Sequence, residues 1–200
     1  MSLPELRPRP RQRPYPPIWR AASSAGSVRE CGRIGAPILI ARIPIARVPE
    51  RMALYEAGLA ESGLDEAARR SLREKAAVWR WVHVAESQVQ AEDELAAALL
   101  KTRRHQLHAR ATHNPSDFHV AEARVNPWND PSLSHEDGVR YALEHSALYG
   151  DAKRVAEQVA ALRDAGAHHV LCQMSIGDLP HARIMESMRR FGEQVSPRFR

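Results

Sequence analysis

Residues Pro16–Ser27 read PPIWRAASSAGS, and this stretch constrains the fold more than any other. The short apolar run Ile18–Ala22 has the character of a strand. It passes into small and hydroxyl residues that include Ser23, Ser24 and Ser27. A helical pattern over Ser27–Ile34 follows, closed by Gly35, a common C-terminal stop. A second apolar run, Pro37–Ile43 (PILIARI), has the β-branched content of a buried strand. Strand, turn, helix and strand in that order predict parallel pairing through a right-handed crossover. The turn suits an anion, because hydroxyl donors, free backbone N–H groups and the positive end of a helix dipole converge there. The same residues also suit plain N-capping of the helix by Ser24 or Ser27.

The pattern repeats along the chain. Pro49–Ser62 is helical with Met52, Tyr55 and Leu59 on one face, and Gly63 ends it. Asp65 is an N-cap for a helix to Lys75. Ala77–Ala85 (AVWRWVHVA) alternates, with Val78, Arg80, Val82 and Val84 on one side and Trp79, Trp81 and His83 on the other. The expected setting of the two tryptophans is strand packing on an outer helix layer. A long helix over Gln88–Arg110 follows, then a stretch at 112–136 rich in Pro, Asn, Asp, Ser and His that reads as a long loop or lid. Helices are expected at Asp137–Leu148 and Asp151–Asp164, a last strand at Val170–Met174 (VLCQM), a turn at Ser175–Pro180 and a final helix at His181–Val195. The order is β-α-β-α-α-β-α-loop-α-α-β-α, which holds four βα units and no internal repeat.

The 200 residues suit one domain after an extended arm at 1–16, with 17–200 as the α/β unit. The net charge of +5 is uneven: Arg7, Arg9, Arg11, Arg13 and Arg20 against Glu5 put +4 in the first twenty residues and leave +1 for the rest. A Pro-spaced arm of this kind favours extended backbone. With no aromatic interleaving and no second basic patch, it reads as a solvated lead-in rather than a nucleic-acid surface. No apolar run approaches the ~20 residues that span a bilayer, and the start lacks a secretory signal core. Cys31 and Cys172 make no disulfide framework and read as buried free thiols. The expected location is the cytoplasm, with neither membrane nor nucleic acid as partner.

Three segments resemble one family. RPYPPIWRAASSAGSVRECGRIGAPIL is similar to the fifth strand, phosphate turn, helix and sixth strand of the luciferase-like flavin monooxygenases. WRWVHVAESQVQAEDEL is similar to their seventh strand and the helix after it. YGDAKRVAEQVAALRDAGAHHVLCQMSIGDLPHARIMESMRRFGEQVSPRFR resembles their closing segment, with a Gly-led helix, the eighth strand and a final helix ending in Val-x-Pro. Members fold as a (β/α)8 TIM barrel, which takes about 250 residues. The resemblance therefore implies a partial barrel of about four βα units, corresponding to strands 5–8.

By position, the resemblance places Ser23, Ser24 and Ser27 where the family binds the phosphate of its flavin. Some members carry a carboxylate where Ser23 stands. The implied cofactor is FMN, with a deazaflavin as the alternative. The implied activity is oxidation of a small organic substrate by dioxygen and reduced flavin. The alternative is a non-catalytic or partner-dependent half-barrel. An open parallel sheet has exposed edges, so the expected state is a homodimer or a complex with a chain that supplies the other strands.

No catalytic residue is nominated by the sequence. Arg20 either adds charge near the turn or faces outward. Gln173 and Ser175 end the last strand and are placed at a pocket mouth. The histidines make no metal pattern: His105 and His108 are spaced i, i+3, His168 and His169 point to opposite faces, and His113, His119 and His135 are scattered.

Overall fold

The computed structural model describes residues 8–13, 15–41, 43–113 and 126–199. Its centre is a parallel sheet. Strand β1 (Arg20–Ala21) pairs with β2 (Ile38–Ala41), and β2 pairs with β3 (Ala77–Val84). Strand β5 (His169–Gln173) runs along the other side of β3, with Ala77 opposite His169 and Trp81 opposite Gln173. All these strands are parallel, as βα units require. Among the described residues, the outer edges of β1 and β5 have no strand partner.

The helices begin and end where local chemistry directs. Helix α1 (Ala25–Arg33) is capped by Ser24, and Gly35 follows it at φ +66°. Helix α2 spans Val48–Ala60, and α3 (Glu66–Lys75) is capped by Asp65, whose carboxylate accepts from the Ala68 N–H at 2.8 Å. Helix α4 runs from Gln88 to His113. Helix α5 (His135–His145) has Ser134 as its cap, and α6 (Ala152–Asp164) has Asp151. Helix α7 (His181–Arg190) continues through a wider turn at Phe191–Val195 and a tight one at Ser196–Phe199.

Helices α1 and α2 touch backbone to backbone. A Cβ on Gly58 would lie 2.0 Å from the Arg29 carbonyl oxygen, and one on Gly32 would lie 2.4 Å from that of Tyr55. Only glycine permits this approach, and it brings the first turn of α2 beside the turn that precedes α1.

Two features beyond the sequence reading have physical causes. Residues expected to finish the Asp137–Leu148 helix instead form strand β4 (Ala147–Gly150), which pairs with the far half of β3, Trp81–Val84. All four β4 residues are buried, and pairing with a long neighbour outweighs local helical preference. Second, the two faces of β3 pack on different helices. Val78, Val82 and Val84 pack with Val28, Tyr55, Leu59, Val155 and Leu162 in one core. Trp79 and Trp81 lie on the opposite face with Leu95, Leu99, Trp128 and Ile176, under α4. The Trp81 and Trp128 rings are 4.7 Å apart. Arg103, fully buried on α4, donates to the carbonyl oxygens of Trp128 at 3.1 Å and Asp130 at 2.6 Å, which ties the 126–135 segment to this second core. The middle of the expected loop, including His119, lies outside the described residues, as do residues 1–7 and 14 of the arm.

Candidate functional site

The turn after β1 is a helix cap and an open cup together. Ser24 Oγ accepts from the Ser27 N–H at 3.2 Å and donates to Ser27 Oγ at 2.8 Å. The capping role foreseen for Ser24 is therefore real. It uses one first-turn N–H and leaves those of Ala25 and Gly26 without a helical partner. Ser23, Ser24 and Ser27 are all exposed, and a Cβ on Gly26 would meet no atom within 4 Å. The three serines share one turn at the C-terminal end of a parallel strand, the end at which barrels place their ligand sites. Arg20 is exposed on β1 and bonds to none of the three.

One neighbour was not legible in the sequence. Arg51, from the first turns of α2, is 4% exposed. Its Nε donates to the Ser23 carbonyl oxygen at 3.0 Å, and its Nη1 to Glu50 Oε1 at 2.5 Å. Glu50 Oε2 also accepts from Arg47 Nε at 3.1 Å. Those hydrogen bonds, Arg47's first, hold the exposed Glu50 carboxyl below its ordinary range. A buried cation thus backs the serine turn from the next βα unit.

A second polar cluster closes the C-terminal end of β3. His83 is 1% exposed, and its Nε2 shares a 2.7 Å hydrogen bond with Glu94 Oε2 on α4. Gln90 donates to the other Glu94 oxygen at 2.9 Å, and Arg183 Nε of α7 approaches it at 3.3 Å. Burial works against the Glu94 charge, but the bonds from Gln90 and His83 and the pull of Arg183 outweigh it and hold its carboxyl below the usual range. The space left among these groups is about 10 Å³, no more than one water fills. The only sequence signal for this cluster was the place of His83, one residue before the end of β3 on the tryptophan face.

Among the described residues, no three His, Cys, Asp or Glu side chains gather as a metal site. His105, His108, His113, His168 and His169 are exposed. Gln173 is exposed at the end of β5 and donates to the Ser175 carbonyl oxygen at 3.2 Å. Cys31 is a buried free thiol as expected, whereas Cys172 is half-buried; burial pushes its thiol up to about 11. No described helix is long and apolar enough to cross a membrane.

Comparison with solved structures gives the same fold. The oxygenating constituent of 3,6-diketocamphane monooxygenase from Pseudomonas putida, a type II Baeyer-Villiger monooxygenase solved in complex with FMN, matches with a TM-score of 0.64 at 16% identity, over 93% of this chain and 50% of that one. The coenzyme F420 dependent tetrahydromethanopterin reductase from Methanopyrus kandleri matches with a TM-score of 0.60 at 15% identity, over 92% of this chain and 51% of that one. Monooxygenase RslO1 from Streptomyces bottropensis matches with a TM-score of 0.60 at 21% identity, over 94% and 50%. This chain spans about half the length of each, as a partial barrel does. None of the curated proteins matches it. The family model for luciferase-like monooxygenases matches residues 2–169, and the chain belongs to the luciferase-like monooxygenase family.

Proposed function

We propose that this chain forms one wall of a flavin-dependent oxidoreductase, with Ser23, Ser24 and Ser27 holding the phosphate of FMN. The carrying observation is the exposed serine turn at the C-terminal end of β1, with two first-turn N–H groups free to receive an anion. The residues fit such a group: hydroxyl donors face solvent, Gly26 leaves room for close approach, and Arg51 lies behind the turn. A bound flavin would supply the redox chemistry, with dioxygen as co-substrate and a small organic molecule oxygenated. The protein's part is to anchor the phosphate at the C-terminal end of β1 and orient the ring beside it. A deazaflavin is the alternative cofactor, since one structural neighbour is an F420-dependent reductase.

Thermal unfolding with FMN, riboflavin and F420 tests this reading. FMN is expected to raise the Tm of this protein more than riboflavin does. Equal and negligible shifts from all three would overturn it.

A second reading, of a partner-dependent half-barrel, is favoured by the sheet edges. Tyr15, Ile18 and Trp19 are exposed beside β1, and Leu171 is 45% exposed on β5. Closing the sheet takes further strands, from a second copy or from another segment of chain. Sedimentation velocity is expected to show an oligomer of this chain or tight assembly with such a segment. A stable monomer that binds FMN by itself would defeat it.

A further inference from the structure

We infer that Arg51 is the charged member of the phosphate cup, and that Glu50 is a built-in competitor for its guanidinium. The inference rests on the serine-turn reading above and adds a residue from the neighbouring βα unit. Three observations carry it. First, Arg51 reaches the turn with its Nε on the Ser23 carbonyl oxygen at 3.0 Å, so the guanidinium and the serines form one unit although 28 residues separate them. Second, its side chain is 5% exposed, whereas Glu50, its only charged partner among the described residues, is 50% exposed. A buried cation whose partner sits at the surface keeps most of its attraction for a better-placed anion, because the low dielectric strengthens short contacts and water weakens exposed ones. Third, Glu50 also bonds to Arg47. When a phosphate takes Nη1, Glu50 keeps that second partner and is not left bare.

The arrangement is set by the fold. Arg51 stands beside the turn because the Gly32 and Gly58 contact lets α2 approach α1 at backbone distance. An arginine suits the place, since its planar fork bonds a carbonyl with one N–H and an anion with others. The charge would distinguish a phosphorylated cofactor from its dephosphorylated form.

Binding of FMN, riboflavin and inorganic phosphate to the full chain, measured by fluorescence titration with folding checked by circular dichroism, decides the matter. Arg51→Gln is expected to weaken FMN by about tenfold or more and leave riboflavin within about twofold, as loss of a charge-assisted bond implies. Arg51→Lys is expected to restore part of the loss. Glu50→Gln is expected to tighten FMN by about two- to threefold, the size of an exposed pair, and to leave riboflavin unchanged. If Arg51→Gln keeps the wild-type ratio of FMN to riboflavin affinity, the inference falls while the serine cup stands. If the wild-type protein itself binds FMN and riboflavin equally and ignores inorganic phosphate, the cup reading fails first. Should Arg51→Gln not fold, Glu50→Gln decides: tighter FMN supports the role of Arg51, and no change overturns it.

Discussion

The ends of β1 and β3 come from the same parallel sheet and reach opposite degrees of exposure. At the end of β1, three serines face solvent around a helix N-terminus. At the end of β3, His83 is enclosed by α4 and α7, and Glu94, Gln90 and Arg183 take up its surroundings. The cause is reach. Strand β3 outruns β5 by three residues, and α7 fills the gap, where Ser187 Oγ accepts from the Val84 N–H at 2.8 Å. Strand β1 has two residues and, among the described residues, a strand neighbour on one side only. Covered polar groups tend to pair with one another, as Glu94 does with His83 Nε2 while the buried His83 Nδ1 has no partner among the described residues, whereas polar groups left open stay available to a ligand. The closed end therefore works as a brace, and the open end is the surface we propose for binding.

The largest effect that sharpens this contrast is at the brace. Trp81→Ala should cost about 3–5 kcal/mol in urea unfolding, as large-to-small changes in cores do, because Trp81 is 2% exposed between Trp79 and Trp128. The preference of the surviving folded protein for FMN over riboflavin should not move. A lost preference would mean the two strand ends are not separate units.

Next in size is Glu94→Ala. It strips the buried His83 of its carboxylate and should cost about 1.5–3 kcal/mol, the range for hydrogen bonds to a charged group. The pH dependence has a definite sign. The folded pKa of Glu94 lies below the ordinary 4.5, so its stabilisation is complete above that value and is lost as pH falls through the folded value. The stability gap between wild type and Glu94→Gln should thus be constant near neutrality and shrink below about pH 4.5. A gap that grows in acid would show that burial, not pairing, dominates at Glu94.

The smallest effect separates capping from binding at the open end. Ser24→Ala should cost about 1 kcal/mol as a lost N-cap. Ser24→Asp keeps the cap and adds a negative charge, so it should hold stability near wild type yet weaken FMN more than Ser24→Ala does. Equal FMN affinity in both variants would leave Ser24 a cap alone.

Much of this was legible before any coordinates. Helix starts at Ser24, Asp65 and Asp151 follow from side chains that bond N–H groups three residues on. The stop at Gly35 follows from a positive φ. The serine turn was visible for the same reason: its hydroxyl residues are neighbours in sequence. Strand β4 was not, since Ala147–Gly150 is too short to show a period and pairs only because Trp81–Val84 extends beyond β2. Nor was the face of the tryptophans, because alternation separates two sides of a strand without saying which helices cover each.

The chain by itself therefore determined four of its five described strands, the capped ends of its helices and the serine turn, all legible from residues close in sequence. Tertiary structure alone decided what stands behind that turn and what closes β3. Arg51 meets Ser23 across 28 residues and Glu94 meets His83 across 11. Both meetings depend on how closely helices pack on the sheet, and that distance is set by Gly32 against Gly58 and by the core under α4.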